Sequence, residues 1–189
     1  KQITTGEGGA VITNDKSFYK KIKKLKAFGI DKDLSERKKQ GEYDVIDLGF
    51  NYRLTDFQAL LGYRQLKLYK KNLGKRKKIA KIYIKKFENK KNIVFPNYKN
   101  NSSFFIFPIL VSKRDSLLKY LKKKNIGVSV HYNKILPLMK YYQKKYKLKK
   151  NDYPNAYFYS KHNISLPIYP KIKFKEVTNI TKIISEFLR

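Results

Sequence analysis

The sequence predicts an α/β fold, and three observations support this prediction. Short apolar, β-branched runs alternate with longer segments that carry apolar residues at helical spacing. Glycine and proline separate these segments, and the chain has neither an internal repeat nor a low-complexity linker. Of its 189 residues, 41% are apolar, which is enough to bury a core. Alternating strands and helices are typical of the α/β class.

The first predicted elements are a strand and a helix. Residues 8–14 (GGAVITN) form a short apolar run after a glycine turn, which predicts a buried strand. Asp15 is a good N-cap for a helix that extends to Phe28, with Gly29 as its stop. Residues 30–47 are polar and irregular, and we expect a loop there.

A long helix is predicted to follow residues 48–53 (LGFNYR). Thr55 and Gln58 stand three residues apart and form a capping box. Residues 72–74 (NLG) could bend this helix, because glycine is unfavourable in a helix interior. Its apolar stripe consists of Phe57, Leu61, Leu68, Ile79, Tyr83 and Phe87.

The second half of the sequence predicts a small α/β arrangement. Residues 104–111 read as a strand, and Pro108 within them indicates an edge or a bulge. Val128 and Val130 alternate as in a strand that ends at His131 and Tyr132. Residues 134–152 show no clear pattern, and an extended stretch is expected between Pro167 and Pro170. Helices are predicted at residues 115–124, 155–162 (a turn) and 175–188.

Composition excludes several classes of protein. Cysteine is absent and only two histidines occur, so neither a disulfide framework nor a metal cluster is expected. No apolar run approaches the ~20 residues that a membrane span needs, and no signal peptide is visible. We therefore expect a cytoplasmic protein with no membrane partner. The chain begins at Lys1 rather than at methionine, and we expect further sequence before it.

The net charge of +31 has two interpretations. It could serve a nucleic-acid interface, since cations that neutralise phosphates release counterions. Alternatively, the lysines occupy solvated helix faces, which their spread along the whole chain favours. We therefore expect no specific nucleic-acid partner, although a positive field would also favour a phosphate-bearing substrate.

The first ten residues, KQITTGEGGA, carry the clearest chemical signal. Lys1 stands just before a Thr-Thr-Gly-Glu-Gly-Gly turn, and glycines let a backbone approach a ligand closely. A lysine at such a place can form a Schiff base, and burial would favour its uncharged, nucleophilic form. Taken alone, a glycine-rich turn after a lysine is more often only a turn.

Four ordered blocks resemble the DegT/DnrJ/EryC1/StrS sugar aminotransferases, and together they cover the whole chain. The blocks are residues 1–15 (KQITTGEGGAVITND), residues 47–62 (DLGFNYRLTDFQALLG), Gly127 with residues 130–132 (VHY), and residues 154–156 (PNA) with 164–170 (ISLPIYP). Within the family, residues 47–65 and 154–170 are most similar to the branch that aminates a nucleotide sugar on the route to pseudaminic acid.

The resemblance implies a role for several residues. Lys1 matches the lysine that forms a Schiff base with pyridoxal 5'-phosphate and moves protons during transamination. Asn51 matches an asparagine that reaches across a dimer to the cofactor phosphate. Arg53 could add charge there or could be a surface arginine. His131 and Tyr132 match positions that line the sugar-nucleotide pocket, although His131 could equally be a satisfied core histidine.

Other positions qualify this match. Glu7 could shape the loop under the cofactor and contact substrate, or could only stabilise a turn, and Ser165 is more often structural. Relatives carry proline and histidine where Lys134 and Leu136 stand, and often tryptophan and histidine where Phe104 and Phe105 stand. These departures fall near the expected sugar pocket and leave the sugar open. Lys1 argues against the branch in which histidine replaces the lysine and the enzymes are dehydratases.

The resemblance implies the C-terminal part of a fold-type-I aminotransferase. Residues 1–64 would end the large cofactor domain, and residues 65–189 would form the small α/β domain. L-glutamate would donate its amino group to the keto group of a nucleotide-linked 4-keto-6-deoxyhexose, in a homodimer with shared active sites. A related enzyme acting at the 3- or 4-position of another sugar is one alternative, and a basic nucleic-acid-binding module is another. We expect the 189-residue chain alone to be catalytically incomplete.

Overall fold

The computed structural model describes residues 1–98 and 102–189. These residues form two compact units, Lys1–Leu68 and Tyr69–Arg189. The helices in the described part are α1 (Lys16–Leu25), α2 (Asp56–Phe87), α3 (Arg114–Lys123), α4 (Lys140–Tyr146), α5 (Pro154–His162) and α6 (Phe174–Phe187). The strands there are β1 (Phe107–Leu110) and β2 (Asn163–Leu166), and short 3-10 helices lie at Leu34–Glu36, Leu136–Leu138 and Lys150–Asp152.

Helix α1 begins where the sequence predicts. The Asp15 carboxylate accepts hydrogen bonds from the backbone N–H groups of Ser17 (2.8 Å) and Phe18 (3.1 Å), which are two of the unpaired donors of the first turn. The helix ends at Leu25, three residues before the predicted end. Residues after it turn back at Gly29, whose φ is +73°. The predicted loop over residues 30–47 is confirmed, apart from the short 3-10 helix within it.

The chain after this loop runs back along the end of α1. Phe50 N–H donates to Leu25 O (2.6 Å), and Phe28 N–H donates to Phe50 O (3.0 Å). This return brings Gly49 against Gly29 so closely that a Cβ on Gly49 would lie 1.9 Å from the Gly29 nitrogen. Only glycine at both positions allows the two backbones to meet in this way.

Helix α2 is capped as predicted. The Thr55 N–H and hydroxyl donate to the Gln58 amide oxygen (3.1 and 3.0 Å), and the Gln58 N–H donates to the Thr55 hydroxyl (3.3 Å). The helix continues through Gly74 for 32 residues. Its predicted stripe is buried only in the later turns: Phe57 and Leu61 are exposed, whereas residues from Ile79 onward join the core.

The core of the second unit surrounds a two-stranded antiparallel sheet. Phe107 pairs with Leu166 and Leu110 with Asn163, and Val94 pairs with Leu110 as an isolated bridge. Pro108 lies opposite Ser165 in an unbroken register of a two-stranded sheet, so of the two predicted alternatives the structure shows an edge strand and not a bulge. The buried side chains of the core come mainly from α2, both strands, α3 and α6, and include Ile79, Tyr83, Phe107, Ile109, Leu117, Leu121, Ile164, Val177, Ile180 and Ile184.

Tyr83 ties α2 to this core. Its ring stacks on Phe107 with centroids 5.0 Å apart, and its hydroxyl donates to Pro167 O (2.9 Å). Burial raises the pKa of Tyr83 well above its usual range, because the ionised phenolate would lose its hydration. Tyr83 therefore acts as a neutral donor.

Two predicted strands are wrong. Residues 8–14 form no strand, and Ile12 is 95% exposed. A strand needs a neighbour for its backbone hydrogen bonds, and within the described residues no pairing to this segment occurs. Residues 128–132 contribute only an isolated bridge between Ser129 and Ser165. Strand β2 (Asn163–Leu166) was not predicted, because the expected extended stretch begins at Pro167, one residue after the strand ends.

The predictions for the helices of the second unit agree with the structure. Helices α3, α5 and α6 lie within one residue of the predicted bounds, and α5 is a full helix rather than a turn. Helix α4 and two 3-10 helices occupy the segment that had no clear pattern. No helix among the described residues has both the length and the apolar character that crossing a membrane requires.

Candidate active site

The segment that follows Lys1 is held against α2 by two glutamine side chains. Thr4 N–H donates to the Gln65 amide oxygen (3.0 Å), and the Gln65 amide nitrogen donates back to Thr4 O. Seven residues earlier on the helix, the Gln58 amide nitrogen donates to Glu7 O (3.0 Å). The two side chains therefore fix the backbone at both ends of the Thr4 to Glu7 turn.

Bonds within the turn add to this attachment. The Thr5 hydroxyl donates to Glu7 O (2.7 Å), and Gly6 N–H donates to the Thr4 hydroxyl (3.2 Å). Gly62 lies on α2 between the two glutamines, and a Cβ there would be 3.1 Å from the Thr5 methyl group. The turn thus lies directly on the helix surface.

Lys1 and Glu7 are both exposed. The backbone nitrogen of Lys1 lies 3.4 Å from Ile3 O. Glu7 takes part in the turn through its main-chain carbonyl, which is the acceptor for both Thr5 and Gln58.

Asn51 and Arg53 lie on the segment that returns along α1. Asn51 pairs with Ala27 in an isolated bridge, and Tyr52 N–H donates to Lys26 O (2.9 Å). Phe50 and Tyr52 stack with ring centroids 5.3 Å apart. Because side chains alternate along an extended chain, Asn51 and Arg53 share the opposite face.

Arg53 also lines a cleft of about 1000 Å³ in the first unit. Six lysine or arginine side chains and three carboxylates border this cleft, so that its net charge favours an anion. A hydrogen bond with Asp33 raises the pKa of Lys23, and the backbone N–H of Asp44 lowers the pKa of Asp31. Asp31 and Asp33, two of the three carboxylates, therefore already bind neighbouring groups of the protein.

His131 and Tyr132 belong to the second unit, where a network of buried polar groups holds them. The His131 ring nitrogen Nδ1 lies 2.9 Å from the Ser165 hydroxyl. The His131 backbone N–H donates to the side-chain oxygen of Asn163 (2.9 Å), whose amide nitrogen donates to Tyr159 O (2.8 Å) and Tyr132 O (3.4 Å). His131 is half-buried, and the Tyr132 side chain is 70% exposed.

Arg114 completes this network from α3. It is only 3% exposed, and its guanidinium donates to the Asn133 side chain (2.8 Å) and to Asn163 O (3.4 Å). The Arg114 Nε atom lies 2.6 Å from the Asp115 carboxylate. Burying a charge is costly unless it is paired and hydrogen-bonded, and these contacts compensate the buried guanidinium. The contact with the Asn133 side chain also restrains the chain just after Tyr132.

Sequence reasoning missed Gln65, Asn163 and Arg114. Gln58, Gly62 and Gln65 recur at the i, i+4, i+7 spacing of one helix face, and this spacing was the available signal. No comparable signal marks Asn163 or Arg114, because their partners are distant in sequence. Among the described residues there is no cluster of three or more histidine, cysteine or acidic side chains that could hold a metal ion.

Comparison with known proteins adds a decisive observation. The DegT/DnrJ/EryC1/StrS aminotransferase family matches residues 1–185. The chain belongs to this family. Its α/β fold is that of the fold-type-I aminotransferases, as predicted, and aminotransferases of this family use pyridoxal phosphate.

Relatives in the family include transaminases of nucleotide sugars. The chain is 36% identical over 183 residues to the UDP-4-amino-4,6-dideoxy-N-acetyl-beta-L-altrosamine transaminase of Campylobacter jejuni, a match that covers 93% of this chain and 46% of the relative. The structure of Helicobacter pylori PseC, an aminotransferase involved in the biosynthesis of pseudoaminic acid, matches with a TM-score of 0.86 and 30% identity. That match covers 100% of this chain and 50% of PseC.

A third match is to a structure in its PLP form. The PLP form of the putative sugar aminotransferase Spr1654 from Streptococcus pneumoniae matches with a TM-score of 0.80 and 27% identity, over 100% of this chain and 50% of that protein. The chain thus spans about half the length of the relatives that it matches.

Proposed function

We propose that the protein is a nucleotide-sugar aminotransferase in which Lys1 holds pyridoxal phosphate. The observation that carries this proposal is the family match, which begins at Lys1 and extends to residue 185. The UDP-4-amino-4,6-dideoxy-N-acetyl-beta-L-altrosamine transaminases of Campylobacter jejuni and Helicobacter pylori, which are 36% and 31% identical to the chain, support a sugar nucleotide as the substrate. L-glutamate as donor agrees with the name of another relative, a UDP-4-amino-4-deoxy-L-arabinose--oxoglutarate aminotransferase, since oxoglutarate is the deaminated form of glutamate.

The available side chains fit this cofactor chemically. A lysine amine condenses with an aldehyde, and amide and guanidinium groups are donors to a phosphate. Lys1 would hold the aldehyde carbon, and its Nζ would move a proton during amino transfer. When bound, pyridoxal phosphate supplies the electron sink for the reaction. The Thr4 to Glu7 turn, which α2 holds at both ends, gives Lys1 a fixed point of attachment.

Asn51 and Arg53 would bind the cofactor phosphate of a partner subunit in a homodimer. Both side chains share one face of the returning segment, and Arg53 borders the basic cleft. A guanidinium binds phosphate in a geometrically defined way, while an amide adds a neutral donor. The two active sites of the dimer would then each contain residues from both chains.

His131 and Tyr132 would contact the sugar nucleotide, together with Glu7. The network around Asn163 fixes the backbone at His131, whereas the Tyr132 ring is exposed and available to a ligand. The bond to Ser165 leaves the His131 Nε2 atom for a substrate contact. His131 would therefore be both a satisfied histidine and a pocket residue.

The substrate that we favour is a UDP-linked 4-keto-6-deoxy-N-acetylhexosamine. The second candidate is another keto sugar aminated at position 3 or 4. This candidate is favoured by four positions that depart from the family pattern, namely Lys134, Leu136, Phe104 and Phe105. Residues 1–64 would close the cofactor domain, and residues 65–189 would form the sugar-side domain. A cytoplasmic location stays a prediction.

A nucleic-acid-binding module is the rival from another class. It would require the +31 charge to serve a dedicated surface. Lysines instead occur on α1, α2, α3, α4, α5 and α6 alike. Sequence-specific binding at physiological salt would favour the rival, whereas weak binding that falls steeply with salt would not.

Turnover by the full-length protein tests the proposed function. We expect glutamate-dependent amination of the UDP-linked 4-keto sugar, with kcat/KM about tenfold or more above that for 3-keto or other nucleotide sugars. A preference for a 3-keto sugar would support the second candidate. Absence of amination for every keto sugar, in protein that retains pyridoxal phosphate, would contradict the proposal.

A further inference from the structure

Helix α2 presents a strip of three residues that contacts the turn after Lys1. Gln58, Gly62 and Gln65 lie at i, i+4 and i+7, which places them on one face of the helix. The two glutamine side chains bind backbone atoms of Thr4 and Glu7, and Gly62 leaves room for the Thr5 side chain. None of the three residues belongs to the set that would touch cofactor or substrate.

We propose that Gln65 is a positioning residue, which sets the place of Lys1 by binding the backbone of Thr4 at two points. This inference rests on the proposed function, because it takes Lys1 as the reacting amine. Thr4 is three residues from Lys1, so the pair of hydrogen bonds restrains the chain about 10 Å of extended length from the lysine.

Geometry distinguishes Gln65 from an ordinary helix surface residue. Its amide donates to Thr4 O and accepts from Thr4 N–H, and so satisfies both backbone groups of one residue as a neighbouring strand would. The same nitrogen is 3.4 Å from Leu61 O on its own helix. Gln65 is half-buried, which orders the side chain that makes these contacts.

Gln58 would be a poorer test of the same idea. Its side-chain oxygen accepts from Thr55 in the capping box, so a substitution would also weaken the start of α2. Gln65 has no part in a helix cap and lies ten residues into a 32-residue helix. A substitution at Gln65 can therefore remove the contacts with Thr4 and leave the helix formed.

The test compares two variants of Gln65 in the full-length protein. Gln65→Leu removes both hydrogen bonds. Gln65→Glu keeps the acceptor for Thr4 N–H, but its ionised carboxylate cannot donate to Thr4 O and repels it. When protonated, that carboxyl group has one donor and one acceptor and again matches both backbone groups. Gln143→Glu, an exposed position on α4, is the matched control.

Two readouts separate positioning from general destabilisation. Hydrogen exchange at the Thr4 amide reports the contact itself, and we expect roughly tenfold faster exchange in Gln65→Leu, equivalent to about 1.4 kcal/mol. The rate at which Lys1 links to added pyridoxal phosphate reports its placement. We expect it to fall by up to about 100-fold in Gln65→Leu, because a 1 Å misplacement can cost that much.

The pH dependence gives the sharpest outcome. We expect Gln65→Glu to approach the wild-type linking rate as the pH falls towards the range where glutamate protonates, while Gln65→Leu and Gln143→Glu show no such recovery relative to wild type. An unchanged exchange rate of the Thr4 amide in Gln65→Leu would show that the Gln65 side chain does not protect the Thr4 N–H, which would contradict the proposal. Faster exchange with an unchanged linking rate would overturn its positioning role. Failure of the proposed function would appear separately, as a cofactor link that survives Lys1→Ala.

Discussion

Amide side chains decide the local backbone path at two places in the described structure. On α2, Gln58 and Gln65 bind main-chain atoms of the turn after Lys1. In the second unit, the fully buried Asn163 binds main-chain atoms of His131 and Tyr159. Gln65 pairs with both backbone groups of Thr4, and Asn163 accepts from the backbone N–H of the half-buried His131. Losing the partner of a buried backbone group costs about 1–3 kcal/mol. On the proposed function, these amides position residues that would contact cofactor or substrate.

Asn51 permits a test of the proposed dimer at the residue scale. Asn51→Ala should weaken affinity for pyridoxal phosphate about tenfold or more, since a hydrogen bond to a charged group contributes about 1.5–3 kcal/mol. In heterodimers of Asn51→Ala with Lys1→Ala subunits, one of the two sites would contain both intact residues. Such heterodimers should regain about half of the wild-type activity in a symmetric dimer with shared sites.

The measurement uses purified heterodimers at a cofactor concentration that leaves Asn51→Ala homodimers mostly empty. Each homodimer, assayed alone, is the control. Heterodimers with no more activity than the sum of the two homodimers would show that Asn51 acts within its own chain.

At the scale of elements, local signals predicted the helices well and the strands poorly. The caps at Asp15 and at Thr55 with Gln58 operate through contacts two or three residues away, which a sequence displays directly. Strands depend on partners that are distant in sequence. Residues 8–14 have strand composition but no pairing among the described residues, while β2 alternates polar and apolar residues over only four positions.

The same distinction applies to the candidate site. Family blocks indicated Lys1, Asn51 and His131, because these residues stand in recognisable local patterns. Arg114 and Asn163 contact each other across 49 residues of sequence, and no local pattern predicts such a contact. Gln65 lay inside a recognised block, yet its contact with Thr4 spans 61 residues and became evident only in the structure.

Two glycine substitutions test the account of the elements. Gly49→Ala should destabilise the first unit by about 2–3 kcal/mol, because the new Cβ would meet the Gly29 backbone and overpacking of this kind is costly. Gly74→Ala should stabilise α2 by about 0.5–1 kcal/mol, because its surroundings are open and alanine is the better helix former.

Urea unfolding followed by circular dichroism measures both changes, with the wild-type chain as reference. The opposite signs of the two effects make each variant the control for the other. A Gly49→Ala variant with the wild-type unfolding midpoint would contradict the close approach of residues 29 and 49.

At the scale of the whole molecule, the net charge concerns which ligands are attracted, whereas family membership concerns the chemistry. Basic residues outnumber acidic ones by 45 to 14, but they are spread over the helices of both units. A dispersed charge of this kind favours solubility and attraction of phosphate-bearing ligands rather than one defined interface. The family match over residues 1–185, in contrast, shows that the chain is related to aminotransferases. The proposed chemistry of Lys1 rests on the resemblance of residues 1–15 to the family's cofactor-lysine segment.

Identification of the lysine that binds pyridoxal phosphate tests the central proposal most directly. The full-length protein is loaded with pyridoxal phosphate, reduced with borohydride, digested, and examined by mass spectrometry for the modified lysine. The account predicts one stoichiometric modification at Lys1, and loss of the yellow cofactor absorbance and of turnover in Lys1→Ala but not in Lys16→Ala. A stoichiometric modification at any other lysine, with Lys1 unmodified, would contradict it.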